Sequence, residues 1–306
     1  MAALQFIVFG VVLTGLLGLL ASWVDRKVTA RLQYRVGPPL AQPLWDLAKL
    51  MGKETLVPAG AARTTFLAAP VVGLAATAVL ATLLWVNNLW PASGFLGDYI
   101  VVLYLLTVPS TSLIIGAFAS GNPLASYGGA REMKLVMAYE LPFLLAVLVP
   151  VILAGYELSL GGLIEAQATG GAHALHLSGL LALLVALLCM QAKLTLVPFD
   201  IPEAETEIAS GVLIEYSGPT LAFVKLMRAM LLFTLPFFLI ILFMGGLRLE
   251  GWSILWGVLK VVGLVALVVV LRNTNPRLRI DQGLRLFWGP VTILAVVAVV
   301  LAIAGW

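Results

Sequence analysis

This sequence is short of charge, of cysteine, of histidine and of internal repeats, and each shortage closes off a class of protein. Only 11% of its 306 residues are charged, 61% are hydrophobic, and the mean hydropathy is +1.07. Soluble domains carry about 25% charged residues, so the chain reads as an integral membrane protein. The single cysteine, Cys189, lies in an apolar run. One thiol builds neither a disulfide framework nor a cysteine-ligated cluster. The only histidines, His173 and His176, are spaced to share a helical face, but a metal site takes three or four ligands. No basic patch interleaved with aromatics is present, which argues against a nucleic-acid partner. Residues 1–24 carry no charged side chain, and Asp25, Arg26 and Lys27 follow the apolar run. A cleaved secretory signal has the reverse order, so a retained first span is expected. Self-similarity between segments is not found, and an inverted-repeat transporter gains no support.

What is present is apolar length. A helix needs about 20 predominantly apolar residues to cross the hydrocarbon core. Eight stretches are candidates: Leu4–Trp23, Phe66–Val86, Tyr99–Ala119, Leu141–Gly155 (short as bounded, with a start near Met133 as the alternative), Leu175–Lys193, Leu221–Met244, Ile254–Leu271 and Phe287–Ala304. The connections after the first, third, fifth and seventh hold seven, two, one and four of the 18 Lys and Arg residues, against Arg248 alone on the other side. Short-loop bias of this size places the richer side in the cytoplasm and both termini outside. The expected fold is an all-α, polytopic membrane protein of about eight transmembrane helices. It forms a single membrane domain, residues 1–306, with cytoplasmic connections at 25–63, 120–139, 194–219 and 272–286. The external loops, 87–98, 156–174 and 245–253, look ordinary.

The first cytoplasmic connection continues the first helix as a basic stem from Asp25 to Arg35, which Gly37-Pro38-Pro39 stops. Beyond it, Leu44, Leu47, Ala48 and Met51 recur at three- and four-residue steps, the pattern of an amphipathic helix lying along the interface. Arg26, Arg31 and Arg35, with Arg131 in the next connection, are candidates for docking a soluble partner; anchoring on lipid headgroups is the alternative. In the second connection, turn formers from Gly121 to Gly129 give way to a helix carrying Arg131, Glu132 and Glu140. A desolvated carboxylate there can hold and release a proton; for Glu132, pairing with Arg131 competes with that role.

The third connection is the most informative. Asp200, Glu203, Glu205, Glu207 and Glu215 are five of the 15 acids, and no Lys or Arg stands between Leu194 and Val224. Carboxylates beside hydrocarbon mark an ion path or a functional contact unless they are solvated. Glu203 and Glu207 share a face if Pro202 opens a helix, and crowded acids titrate as a coupled set. Lys193, Lys225 and Arg228 flank the group. Arg228 lies about 15 Å of helix rise beyond Gly218, so it calls for an acidic partner or water. Lys260 is a second intramembrane cation, for which snorkelling to the outer surface is the simpler account.

These residues resemble one family throughout. Arg35-Val-Gly-Pro38, the run Gln42 to Leu50, Gly129-Ala-Arg-Glu132, Tyr139-Glu140, Pro198-Phe-Asp-Ile-Pro-Glu-Ala-Glu205 and Glu215-Tyr-Ser-Gly218 look like respiratory complex I subunit 1. They look equally like its counterpart in group 4 membrane-bound [NiFe] hydrogenases, including formate hydrogenlyase and energy-converting hydrogenases. The resemblance implies a heel-like subunit of the inner (plasma) membrane that joins a soluble redox arm to antiporter-like membrane subunits. It assigns ion transfer and coupling to Asp200, Glu203, Glu205, Glu207, Glu215, Glu132 and Glu140. It also implies that this chain binds no redox cofactor, the iron–sulfur clusters and NiFe centre residing in hydrogenase-like large and small subunits and iron–sulfur partners.

Two features separate the branches. The loop between stem and amphipathic helix is cut to Gly37-Pro-Pro-Leu-Ala-Gln-Pro43, and Asn122-Pro123 precedes Gly128. Both resemble the hydrogenase branch. The other readings are a quinone-site subunit of an NADH-quinone oxidoreductase and a membrane subunit of a related sulfane reductase.

Overall fold

The computed structural model describes residues 2–248 and 251–305. The helices are α1 (Ala2–Leu32), α2 (Gln42–Met51), α3 (Arg63–Leu89), α4 (Asp98–Ala119), α5 (Pro123–Leu153), α6 (Leu160–Gly170), α7 (Leu177–Lys193), α8 (Gly218–Met244), α9 (Ser253–Thr274) and α10 (Ile280–Ile303). Seven of them are long and apolar enough to cross a membrane; α7, at 17 residues, is apolar but shorter. The expected eight are therefore seven long helices and α7, which packs between α5 and α10. No strand occurs among the described residues.

Helix α8 is the axis of the bundle. Every side chain from Met230 to Phe243 is buried, because α1, α3 and α9 pack against it along its length. Helices α1, α9 and α10 form the rim and leave most of their surface open. Small residues set the closest approaches, as expected where lipid is as apolar as the side chains and only packing discriminates. At Gly18 a Cβ would stand 2.5 Å from the Ala229 carbonyl oxygen and 2.8 Å from the Met230 Cα.

Four local departures from the sequence reading have physical causes. The stem helix ends at Leu32, earlier than expected, because Tyr34 takes a left-handed conformation (φ 58°) and Arg35 N donates back to the Ala30 carbonyl. The expected third span is two helical pieces, Asp98–Leu105 and Val108–Ala119, with Pro109 just past the break. The stretch expected as a connection at 120–139 is mostly helix: Asn122 caps it, its side chain accepting from Leu124 N at 2.8 Å, and Pro123 supplies the first turn. Helix α5 thus runs for 31 residues, about 46 Å by helix rise, and Glu132 and Glu140 both lie on it. The external loop 156–174 holds α6, whose start is fixed by Leu160 N donating to Asp98 Oδ1 at 2.8 Å.

Helix α2 forms where expected, but its apolar stripe is not turned inward. Pro43 and Leu50 are buried, whereas Leu44, Trp45 and Met51 are half or more exposed. Lys260 has no acidic partner among the described residues and lines an open hollow at the end of the bundle where α8 stops. Its Nζ donates to the Met244 and Gly246 carbonyls, at 2.6 and 3.2 Å, closing the C-terminus of α8.

The packing at Gly18 is directly testable. Gly18→Ala should force α1 away from α8 and cost about 1–3 kcal/mol, read as a lower thermal midpoint in detergent. Gly15→Ala is the control, since a Cβ there meets nothing within 4 Å, and should leave the midpoint unchanged.

Candidate functional site

The acid-rich connection leaves α7 and folds back onto the bundle instead of extending into solvent. Phe199, Ile201, Ala204, Ile208, Val212 and Tyr216 are buried, so the connection is fastened by its apolar residues, leaving its acids to face the cleft. Phe199 packs on Phe287 (centroids 4.9 Å apart), and Tyr216 stacks on Phe66 at 4.5 Å. Gln191 Nε2 donates to the Val197 carbonyl at 2.7 Å, and Leu278 N to that of Pro198 at 3.0 Å. Gly128 of α5 permits the contact, since a Cβ there would reach within 2.7 Å of Val212 N.

No continuous helix opens at Pro202. Ile201–Glu203 is one 3₁₀ turn and Glu205–Ile208 a single α-turn, so Glu203 and Glu207 do not share a face. They take separate cations: Arg228 Nη1 donates to Glu203 Oε2 at 2.8 Å, with a second contact through Nη2, and Arg131 Nη1 donates to Glu207 Oε2 at 2.6 Å. Arg131 is thereby engaged away from Glu132. Asp200 pairs with Arg277 at 2.6 Å; burial pushes its carboxyl above the ordinary value, with Arg277 opposing. Glu215 accepts from Asn122 Nδ2. Glu205 and Lys225 are exposed, face one cleft, and make no ion pair.

Beneath this layer lies Glu132, 1% exposed, with no donor in hydrogen-bonding geometry on either carboxylate oxygen. It shares a space of about 20 Å³ with Ser110, Lys193 and Arg228, roughly the room one water requires. Lys193 Nζ donates to Glu140 Oε2 at 2.7 Å and sits over the rings of Tyr139 and Phe143 at 4.9 and 4.7 Å. Two open clefts lie above. One, of about 350 Å³, is bounded by Arg131, Asp200, Glu207 and Arg277; the other, of about 360 Å³, by Asp25, Glu203, Glu205, Lys225 and Arg228, with Asp200 and Arg277 on both. Polar groups thus continue from open cleft through Arg228 to Glu132, Lys193 and Glu140.

Sequence reasoning missed Asp25, Arg272 and Arg277 as members of this site. Arg272 pairs with Asp25, joining α9 to α1. The signal was available: the connection 272–286 holds four cations and one acid, the natural complement of an acid-only neighbour. Arg26, taken as a docking residue, is engaged internally, its Nη1 donating to Asp46 Oδ2 at 2.7 Å. Arg31 and Arg35 remain exposed.

The fold and its charged end define a class: a polytopic membrane subunit with a buried carboxylate beneath an ion-paired cleft. The NADH dehydrogenase family profile matches residues 4–303, and the chain belongs to that family, that of complex I subunit 1. It is 34% identical to the NADH-quinone oxidoreductase H-subunit of Thermomicrobium roseum, over 95% of this chain and 92% of that protein. The corresponding protein of Geobacillus thermodenitrificans is 33% identical, over 90% and 86%. Among solved structures, a chain of the archaeal membrane-bound sulfane sulfur reductase superposes with a TM-score of 0.84 at 27% identity, covering 98% of each chain. The protein is therefore a multi-pass membrane subunit of a complex I-like oxidoreductase.

The Arg26–Asp46 pair carries a pH prediction. The Arg26 hydrogen bond, with help from Gln42, holds the Asp46 carboxyl below its ordinary value of 3.8. A depressed acid stabilises the folded arrangement above that value and loses the contribution as pH falls through its lowered one. Asp46→Asn should loosen α2 from α1 by about 0.5–1 kcal/mol near neutrality, as fits a half-exposed pair. Amide exchange in α2, compared between parent and variant, should begin to converge as the pH falls below 3.8 and coincide only below the lowered value.

Proposed function

We propose that this chain is the coupling subunit at the foot of an energy-converting hydrogenase-type complex of the plasma membrane, turning electron transfer in a soluble arm into proton or sodium movement in the bilayer. The observation that carries this reading is Glu132: a carboxylate group buried without an ion pair, beside the Ser110 hydroxyl, with cations on two sides that are already committed to Glu203 and Glu140. A buried carboxyl releases a proton when a cation turns toward it and takes one up when the cation turns away. Glu203 rides on the third connection, the segment exposed to a docked arm. A displacement of that connection frees Arg228 for Glu132, and the released proton moves toward Lys193 and Glu140. Charge shifts of this kind need two arrangements of similar energy, and a shared arginine between two acids provides them.

The hydrogenase branch is supported by the short Gly37–Pro43 loop; the length match, 98% of the sulfane reductase chain against 86–92% of the two NADH-quinone oxidoreductase proteins above, supports a membrane subunit of a related sulfane reductase as the alternative. The partners would be hydrogenase-like large and small subunits bearing the NiFe centre and iron–sulfur clusters, together with antiporter-like subunits. A second reading, a quinone-site subunit, draws on the names and the higher identity of the NADH-quinone oxidoreductase relatives.

Two experiments test this. In the native complex reconstituted in vesicles, Glu132→Gln should leave electron transfer within about twofold while lowering ions moved per electron at least about tenfold, as expected for loss of the group that releases the proton into the relay. Unchanged coupling would remove Glu132 from it. Identifying the subunits that co-purify separates the branches: a large subunit with two Cys-x-x-Cys pairs marks a hydrogenase, and its absence together with bound quinone marks the second reading.

A further inference from the structure

At the end of the bundle opposite the acidic cleft, Met244, Gly245 and Arg248 at the end of α8 and the first turns of α9 line a basic pocket that the coupling reading does not use. Its walls are held rigidly. Asn88 accepts from Leu247 N at 2.7 Å and donates to the Leu247 carbonyl at 2.9 Å, and Gln167 Oε1 accepts from Gly245 N at 2.8 Å. Arg248 and Lys260 both line the resulting space of about 280 Å³, with Ser253, Trp256 and Gly257. No acid among the described residues lines it; Glu250, two positions from Arg248, lies outside them. Two cations facing one hollow repel each other unless an anion fills it.

The same pocket opens onto a second, wholly apolar cleft. Gly257 lines both, and the apolar one, of about 270 Å³, runs between α1, α8 and α9 along Leu17, Leu20, Phe233, Val258 and Val262. Helix α9 lies on the rim, with Leu255, Val258 and Val262 half exposed, and Trp252 and Trp256 are 83% and 67% exposed at its outer end. Exposed tryptophans mark the headgroup level of a bilayer. The tryptophans, the two cations and the near end of the apolar slot therefore lie side by side at this end of the bundle, and the slot continues along α9 to Val265.

We infer that this juxtaposition is a binding site for one anionic phospholipid of the outer leaflet, its phosphate held by Arg248 and Lys260 and one acyl chain lodged between α1, α8 and α9. Charge selects the head and the cleft selects a chain, so neither a neutral phospholipid nor a small phosphate ester satisfies both. The bound lipid fills the gap beside the loosely packed α9 and ties it to the axis of the bundle.

The test uses the complex purified in detergent, stripped of lipid and then mixed with phosphatidylglycerol, phosphatidylcholine or glycerol phosphate, with thermal midpoint and retained lipid mass as readouts. Phosphatidylglycerol should raise the midpoint and be retained at about one molecule per chain, and the other two should not. Arg248→Gln should weaken retention about fivefold, as for the loss of one cation near the bilayer surface. Gly257→Leu should abolish the response by filling the cleft; Gly257→Ala, whose Cβ meets its nearest atom, Leu247 Cδ2, at an ordinary 3.4 Å, is the control for folding, and both should show the unliganded midpoint of the parent. Equal stabilisation by phosphatidylcholine, an equal effect of glycerol phosphate (a small-anion site only), or a full response in Gly257→Leu overturns the inference. So does indifference to every lipid, the result expected if a neighbouring subunit fills the cleft.

Discussion

The structure depends on the cost of holding carboxylates at the edge of hydrocarbon. An isolated ionised group there is unfavourable by several kcal/mol even after relaxation, and this chain places four ion-paired acids and one unpaired acid within a few turns of one another. The pairs are made between segments distant in sequence: Asp200 with Arg277, Glu203 with Arg228, Glu207 with Arg131, Glu140 with Lys193. Each therefore pins one segment to another, and together they fix the third connection over α5, α8 and the approach to α10. Ion pairing of this kind adds little net stability compared with apolar packing. What it adds is geometry, and geometry of a kind that a charge moving nearby can rearrange.

Glu132 is where that sensitivity concentrates. It has no ion pair, yet it shares its small space with two cations whose partners are other acids. The exposed end of the chain is built the opposite way. Glu205, Arg31 and Arg35 stand free in solvent, and the apolar stripe of α2 is uncovered, as suits a surface that meets a partner or the headgroup layer. A rigid, apolar frame around α8 carries both: it keeps the buried acid in place while the connection above it turns its charged groups to the clefts.

Much of this was legible in the sequence, for a reason specific to membranes. Apolar length alone locates the helices, because the bilayer demands it, and the charge asymmetry orients them. The acids of 194–219 were identifiable as a group since they lack any nearby cation. What could not be read was pairing. Glu203 and Glu207 invite a shared helical face by spacing, but Pro202 and the buried Ile201 and Ile208 break the segment into short turns that send the two acids to different arginines. Likewise, Gly128 and Gly129 read as a turn, whereas they are small residues inside α5 that allow Gly211–Leu213 and α4 to pack closely. Glycine marks flexibility in water and close approach in a bundle, and only the tertiary contacts separate the two meanings. Arg277 was missed as an individual partner: the cation-rich 272–286 segment marks the complement of the acids, but which cation meets which acid leaves no local trace.

The central claim is that Glu132 changes protonation when electrons pass through the complex. Reaction-induced infrared difference spectroscopy on the intact, membrane-embedded complex observes this directly, with Glu132→Gln to assign the band. The account predicts a protonated-carboxyl signal that appears or vanishes on reduction in the parent and is missing from the variant. A parent spectrum with no carboxyl change, or one that persists unaltered in Glu132→Gln, would contradict it.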